Sequence, residues 1–302
     1  SINILQRYLN SLYGDNIKRR QAGMDNLKEV IEFDDFCFIK IVPHAFIMGH
    51  NRDDCMAKDN ETPHTVELLN NYYLGETPVT VAQYRRYVEE CGIDTSYLIE
   101  KWDGEDWVIG PYFDEINTEG DYPVVGVSYD DALGFIQWMN SKYHNDFRFP
   151  TEAEFEFAAR SNCTCTDVCK YAEFARSNYL DRREDEYPRK KSLPVDKMVI
   201  NSFGLKGMHC SIWQWCKDWY YYYLVNDVNN PQGPKKMPEY APWKGEKWKP
   251  GKVIRGGSFS YPYYHSRCSD RHYSLVGDRN YNVGFRLVMD IDKRSLMFET
   301  KK

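Results

Sequence analysis

Residues 253–288 read VIRGGSFSYPYYHSRCSDRHYSLVGDRNYNVGFRLV, and the fold is decided on this stretch. Two frames, Arg255-Gly256-Gly257-Ser258 and Val283-Gly284-Phe285-Arg286, bracket an interior of Tyr, Ser, His, Asp, Asn and Arg. Paired glycines permit positive φ or a close backbone approach. The run Gly284-Phe285-Arg286-Leu287-Val288 predicts a closing strand. Between the frames there is little aliphatic surface to bury and much that can both stack and hydrogen-bond. Tyr in particular offers a large, rigid, amphipathic contact area at low entropic cost. The candidate ligand-binding residues are therefore Tyr261, Tyr263, Tyr264, His265, Ser266, Asp270, His272, Tyr273, Asn280, Tyr281 and Asn282. Arg267, Arg271 and Arg286 are expected to hold the loop by binding carbonyls or carboxylates.

Working outward, 302 residues make one large or two small domains. With 42% hydrophobic and 28% charged residues, the composition is that of an ordinary globular protein. Twenty-four Tyr, 15 Phe and 8 Trp imply a core built from aromatic pieces. A formal net charge of −6 argues against a nucleic-acid partner, which needs a basic face. No apolar run reaches the length of a membrane span. The nine cysteines are scattered and odd in number, which favours free thiols in a reducing compartment. Their one cluster, Cys163, Cys165 and Cys169, could be a zinc or disulfide staple on a loop, although it lacks a second matching pair.

Residues 1–32 carry apolar positions at helical spacing on either side of Gly14-Asp15-Asn16, predicting two short amphipathic helices as a lead-in or a partner-docking segment. From residue 33 to 292 the pattern is one domain, followed by a tail at 293–302. Short strands are expected at 36–43, 46–49 and 64–68. A helix Val81–Cys91 should be capped by Thr80. The segment 94–122 looks like an irregular surface insertion. A strand at 123–128 should run into a helix capped by Ser128, with Asp130 and Asp131 in its first turn. Thr151, with Glu154 three residues on, predicts a third helix, Glu152–Arg160. Residues 161–200 and 221–250 read as long loops. The sum is an irregular α+β fold of few helices, many short strands and long loops.

These residues spell out a family. Phe46-Ile47-Met48-Gly49, Glu76-Thr77-Pro78-Val79-Thr80, Pro123 through Ala132, Phe147 through Arg160, Asn201 through Trp219 and the two frames around 255–286 occur in one order. In that order they resemble the formylglycine-generating enzyme (sulfatase-modifying factor) family, a variant of the C-type lectin fold. The resemblance covers roughly residues 33–290 and implies that fold. Fold alone does not carry activity.

Catalytic members of the family have two copper-binding cysteines shortly after the Gly-Gly-Ser frame. Here the interval is Phe259-Ser260-Tyr261-Pro262-Tyr263-Tyr264-His265-Ser266, without a cysteine. Cys268 resembles the family's structural cysteine instead. A soft copper site without thiolates lacks its ligands. The iron-binding His motif of the sulfoxide-synthase relatives is also missing, since residues 1–32 hold no His. Copper and iron are thus not expected, and no catalytic residue is assigned. The family's calcium loop becomes Cys210-Ser211-Ile212-Trp213-Gln214-Trp215, with an amide in place of the carboxylate that a hard cation prefers. A second calcium position near Asn178, Asp181 or Asp185 stays open. His265 and His272 with Asp270 could recruit a metal, although three such residues within eight positions recur by chance. Trp213, Trp215 and Trp219 are expected in the core, and Tyr220 to Tyr223 could flank the binding face.

Another branch of this fold comprises variable proteins diversified by retroelements near the C-terminus. Their randomised codons yield Tyr, Ser, His, Asp, Asn and Arg but never Lys, Glu, Gln, Met or Trp. Those five number 64 of 302 residues in the chain and none lies in 259–285. Random composition would leave such a window empty roughly twice in a thousand. The resemblance implies a non-catalytic binder of a protein or cell-surface ligand. The alternatives are an inactive interaction module of the family and a metal-dependent oxidase with a non-standard site. Cysteine usage favours the cytoplasm, whereas the variable-protein resemblance favours surface or virion display.

Overall fold

The computed structural model describes residues 29–50, 54, 56–103, 105–161, 192–239 and 249–291. Of the helical lead-in expected over 1–32, residues 1–28 lie outside the described residues, as do the cysteine cluster, Asn178, Asp181 and Asp185, and the tail at 293–302.

A five-stranded sheet is built from β1 (Val30–Phe33), β2 (Phe36–Ile41), β5 (Tyr72–Gly75), β8 (Phe147–Arg148) and β13 (Val288–Asp290), in the order β1-β2-β5-β13-β8. Val30 and Ile31 were expected to be helical. They form a hairpin with β2 instead, because Asp34 turns the chain at φ 52° and Ile31 packs beside Phe38. A second sheet of four strands runs β11 (Arg271–Leu275), β10 (Gly251–Arg255), β9 (Trp213–Trp219), β12 (Val283–Gly284). Two hairpins complete the strands: β3 (Phe46–Met48) with β4 (His64–Val66), and β6 (Ile99–Trp102) with β7 (Trp107–Gly110).

Four α-helices are described: α1 (Val81–Cys91), α2 (Phe113–Ile116), α3 (Tyr129–Tyr143) and α4 (Glu152–Arg160). The three longer ones start where their caps predict. Thr80, Ser128 and Thr151 each accept from the backbone N–H three residues on. The side chains of Gln83, Asp131 and Glu154 each return a bond, which closes three capping boxes. One apolar core gathers Tyr84, Phe135, Phe285 and Trp215 between α1, α3 and the four-stranded sheet. The other gathers Leu74, Val288, Phe155 and Val253 under α4.

Three expectations need correction. Residues 123–128 form no strand. Gly126 at φ 74° breaks the extended path, and the Asn117 side chain bonds both the N–H and the carbonyl of Val125. The segment 94–122 is not irregular: it holds β6, β7 and α2, with the Asp103 carboxylate accepting from the Glu105 and Asp106 N–H groups at the turn. The closing strand is two strands. β12 pairs parallel with β9, β13 pairs antiparallel with β5 and β8, and the chain changes sheets across Phe285–Leu287. That crossing buries the Arg286 guanidinium among the carbonyls of Gly75 and Lys206 and the Gln214 amide.

Candidate functional site

β10 ends in Arg255, which is fully buried. Its guanidinium pairs with Glu156 of α4 and donates to the Cys268 and Ser269 carbonyls at 2.9 Å each, and to the Asp270 carbonyl. Glu156 in turn accepts from the Gly49 N–H at 2.8 Å and from Arg160. A helix, a hairpin and the loop before β11 are thereby fixed to one buried charge pair. Gly256 and Gly257 have positive φ (101° and 69°), and a Cβ on Gly257 would meet the His265 carbonyl and Ser266. The frame lets the 3-10 turn Tyr263–Ser266 fold back on the end of β10.

Arg267 grips Glu61 with two bonds of 2.7 Å, Asp54 at 2.7 Å and Asp270 at 3.2 Å. Arg271 pairs bidentately with Glu152 of α4 at 2.7 and 2.5 Å. The scaffold roles expected of Arg267, Arg271 and Arg286 are thus given partners.

The loop and β11 bring Tyr261, His272, Tyr273, Asn280 and Asn282 around one cleft of about 220 Å3. Tyr261 and Tyr273 are 36% and 37% exposed, so both rings present area to the cleft. The Asn280 amide donates to Ser274 Oγ at 3.1 Å, and Asn282 donates to Ser260 Oγ at 2.7 Å. Glu100 and Trp107 of the β6–β7 hairpin form the opposite wall, with Trp213 and Ile254 from β9 and β10 lining it as well. The hairpin is tied on by Glu100 N–H to the Arg279 carbonyl and Tyr281 N–H to the Glu100 carbonyl. Burial, with Glu100 nearby, raises the Tyr261 phenol above its ordinary value.

Other expected face residues fall elsewhere. Ser266 and Asp270 are buried behind the face. Tyr281 is 6% exposed and packs edge-on against Phe259 and Trp107, so it serves the core. Tyr264 is half-buried against His265, and Tyr263 lies in the 3-10 turn with its side chain outside the described ones. Of the tyrosine tract, Tyr220 packs on Tyr273 with ring centroids 4.9 Å apart. Tyr221 to Tyr223 line a separate, smaller pocket with Glu152, Asp218 and Arg271. Trp213 and Trp215 are core residues as expected, whereas Trp219, expected there too, is only half-buried at the end of β9. Sequence reasoning missed Glu100, Trp107 and Lys58. The Trp-rich composition of 102–107 was the one available hint for the hairpin, and nothing local marks Lys58.

Beside the cleft, His265 Nδ1, Asp270 Oδ2 and His272 Nε2 converge. Lys58 reaches in from the segment before β4 and donates to Asp270 Oδ1. Burial drives the His272 pKa down to about 4, against the pull of Asp270. For Asp270, burial works upwards, but His265, His272 and Lys58 outweigh it and lower its pKa.

The residues present do not fit a thiolate copper site. No cysteine lies in 259–266, and burial raises the Cys268 thiol to about 11 and Cys216 well above its ordinary value. At the family's calcium loop, the Gln214 amide donates to the Gly207 carbonyl at 2.8 Å and accepts from Arg286 at 2.7 Å, so the protein already uses both ends.

This arrangement of few short helices, many short strands and a loop framed by Gly-Gly-Ser and Gly-Phe-Arg is the formylglycine-generating enzyme type of fold. The chain belongs to the sulfatase-modifying factor enzyme 1-like domain family, whose model matches residues 37–291. It is 28% identical over 255 residues to the serine/threonine-protein kinase pkn1 of Chlamydia pneumoniae, covering 80% of this chain and 36% of that protein. It thus spans about a third of the length of that relative. It is 26% identical to the formylglycine-generating enzyme of Streptomyces coelicolor, covering 85% of this chain and 90% of the relative. Among solved structures, PvdO from Pseudomonas aeruginosa superposes with a TM-score of 0.65 at 20% identity, covering 87% and 98% of the two chains. Treponema denticola variable protein 1 superposes with a TM-score of 0.60 at 21% identity, covering 88% and 99%. Both show the fold. Among the described residues no helix is long and apolar enough to cross a membrane.

Proposed function

We propose that this chain is a binding protein whose Tyr- and Asn-lined cleft takes a protein or cell-surface ligand. One observation carries the reading: seven residues of the stretch 259–285 line a single cleft, while its Arg267 and Arg271 are spent on scaffold. The rings of Tyr261, Tyr273 and Trp107 supply apolar area with few rotatable bonds, and Asn280, Asn282, Ser274 and Glu100 supply adaptable polar contacts. The missing copper cysteines leave the family's oxidation of a substrate cysteine without its ligands. The likeness to a protein named as variable supports the idea that 259–285 is diversified between individuals, at positions carried by a rigid frame.

The test is a screen on glycan and extracellular-protein arrays, run in chelator, with the native chain and the triple variant Tyr261→Ala, Tyr273→Ala, Asn280→Ala. Ligands found with the native chain should weaken at least tenfold on the variant, since central aromatic residues carry most of such binding energy. If every ligand binds the folded variant equally well, the cleft is not the binding face. The diversification itself is checked by sequencing the gene from many individuals, where substitutions should concentrate between Tyr261 and Asn282 and spare Arg255, Arg267, Arg271 and Arg286.

A further inference from the structure

The cluster of His265, Asp270 and His272 has a geometry that side-chain packing alone does not require. His265 Nδ1 lies 3.1 Å from Asp270 Oδ2 and 3.1 Å from His272 Nε2, and His272 Nε2 lies 3.6 Å from Asp270 Oδ2. Donors bound to one ion at metal–ligand lengths of about 2.0–2.1 Å stand roughly 2.9–3.4 Å apart, so the two 3.1 Å spacings match polyhedron edges and the third, at 3.6 Å, needs only a few tenths of an ångström of closure. Two imidazole nitrogens facing each other at 3.1 Å need a proton or a cation between them. One ring's own N–H can supply the proton, and Lys58 brings a cation beside both rings. Its Nζ lies 3.2 Å from His272 Nε2 and 3.5 Å from His265 Nδ1, and it donates to Asp270 Oδ1.

We propose that His265, Asp270 and His272 are a three-ligand seat for a divalent first-row transition ion of the Zn2+ or Co2+ kind, and that Lys58 is the cation the ion displaces. Two imidazoles and one carboxylate suit such ions, whereas Ca2+ and Mg2+ take oxygen ligands and Cu(I) takes sulfur. The ligands are pre-set. Asp270 is held from outside by Arg267, whose charge Glu61 and Asp54 balance, so it is not an uncompensated neighbour of the ion. The Trp213 ring packs on His272 with centroids 4.7 Å apart, and the Tyr261 ring stands edge-on to His265 at 5.2 Å. Lys58 is the one member free to leave. Its side chain is 34% exposed and can swing into solvent, while the Asp270 side chain is fully buried. His272 also lines the cleft, so an ion in the seat would border whatever binds there. The inference goes beyond the binding reading and does not depend on it.

The test adds Co2+ to the full chain after chelator treatment and follows its visible ligand-field absorption and its stoichiometry by calorimetry, with Zn2+ as competitor. The native chain should take up one Co2+ with nitrogen ligation. His272→Ala and, separately, His265→Ala should weaken uptake by at least about 100-fold, since even outer-shell changes cost about 10–100-fold. Lys58→Met removes the competing charge and should tighten uptake about tenfold. Circular dichroism of each variant checks that it folds. Three results overturn the proposal: no uptake by the native chain or by Lys58→Met, uptake by Lys58→Met alone, or uptake that neither histidine variant weakens. Because the array screen is run in chelator, failure here and failure of the binding reading are separate results.

Discussion

Each of the buried arginines is a small structural problem solved in a different way. Arg255 and Arg271 are matched by carboxylates of α4, Arg267 by Glu61 and Asp54, while Arg286 is surrounded by neutral acceptors. Arg286 is 0% exposed and donates to the Gly75 carbonyl at 2.8 Å, the Lys206 carbonyl at 2.6 Å and Gln214 at 2.7 Å. Bonds between a charged donor and buried carbonyls are worth more than neutral ones, and losing the donor leaves the acceptors dry and unpaired. Arg286→Met should therefore destabilise the chain by about 2–4 kcal/mol, read as a lowered urea midpoint at unchanged slope. A change within about 0.5 kcal/mol would show that the fork is not what joins the two sheets at this point. A scaffold role for Arg267, Arg271 and Arg286 was expected from the sequence, because arginine binds carbonyls and carboxylates well. Their partners were not: Glu61 and Lys58 lie about two hundred residues upstream of the loop they hold.

Among the elements, the helices were the legible part. Each longer helix carries its start signal in four residues, and a capping box needs nothing from the rest of the chain. β9 is different. Its Asp218 is buried against α4, accepting from the Glu152 N–H at 2.8 Å, with Glu152, Glu154 and Arg271 among its charged neighbours. Burial, then the neighbouring Glu152, raises its pKa from 3.8 to about 7. A carboxyl raised in this way favours the folded state in its protonated form. Its contribution is complete below about pH 4, where the unfolded chain is protonated too, and is lost as pH rises to and through about 7. Asp218→Asn keeps an acceptor for the Glu152 N–H and removes the titration. The melting temperature of the variant should gain steadily on that of the native chain between pH 4 and 7 and hold level above pH 8. A difference that stays constant across that window would place the titration elsewhere.

On the scale of the whole molecule, the chain changes sheets just after Gly284, and the 123–128 segment packs against that glycine. A Cβ there would land on the Val124 carbonyl oxygen, with Ile212 next to it. Gly284→Ala should cost about 1–3 kcal/mol through displaced backbone, and should also disturb the cleft, because Val283 beside it lines the wall. The sequence by itself determined the family, the irregular α+β class, the starts of the three longer helices and the division of 253–288 into frame and interior. Those features rest on local signals: cap spacing, glycine frames, aromatic cores and the order of motifs along the chain. Only the tertiary structure decided which of the eleven candidate residues share a cleft, that Tyr281 belongs to the core, and that Lys58, Glu100 and Trp107 join the site. The physical reason is range. Backbone conformation and capping are settled within a few residues, whereas a cleft wall and a ligand seat are set by side chains that meet only when distant strands pack.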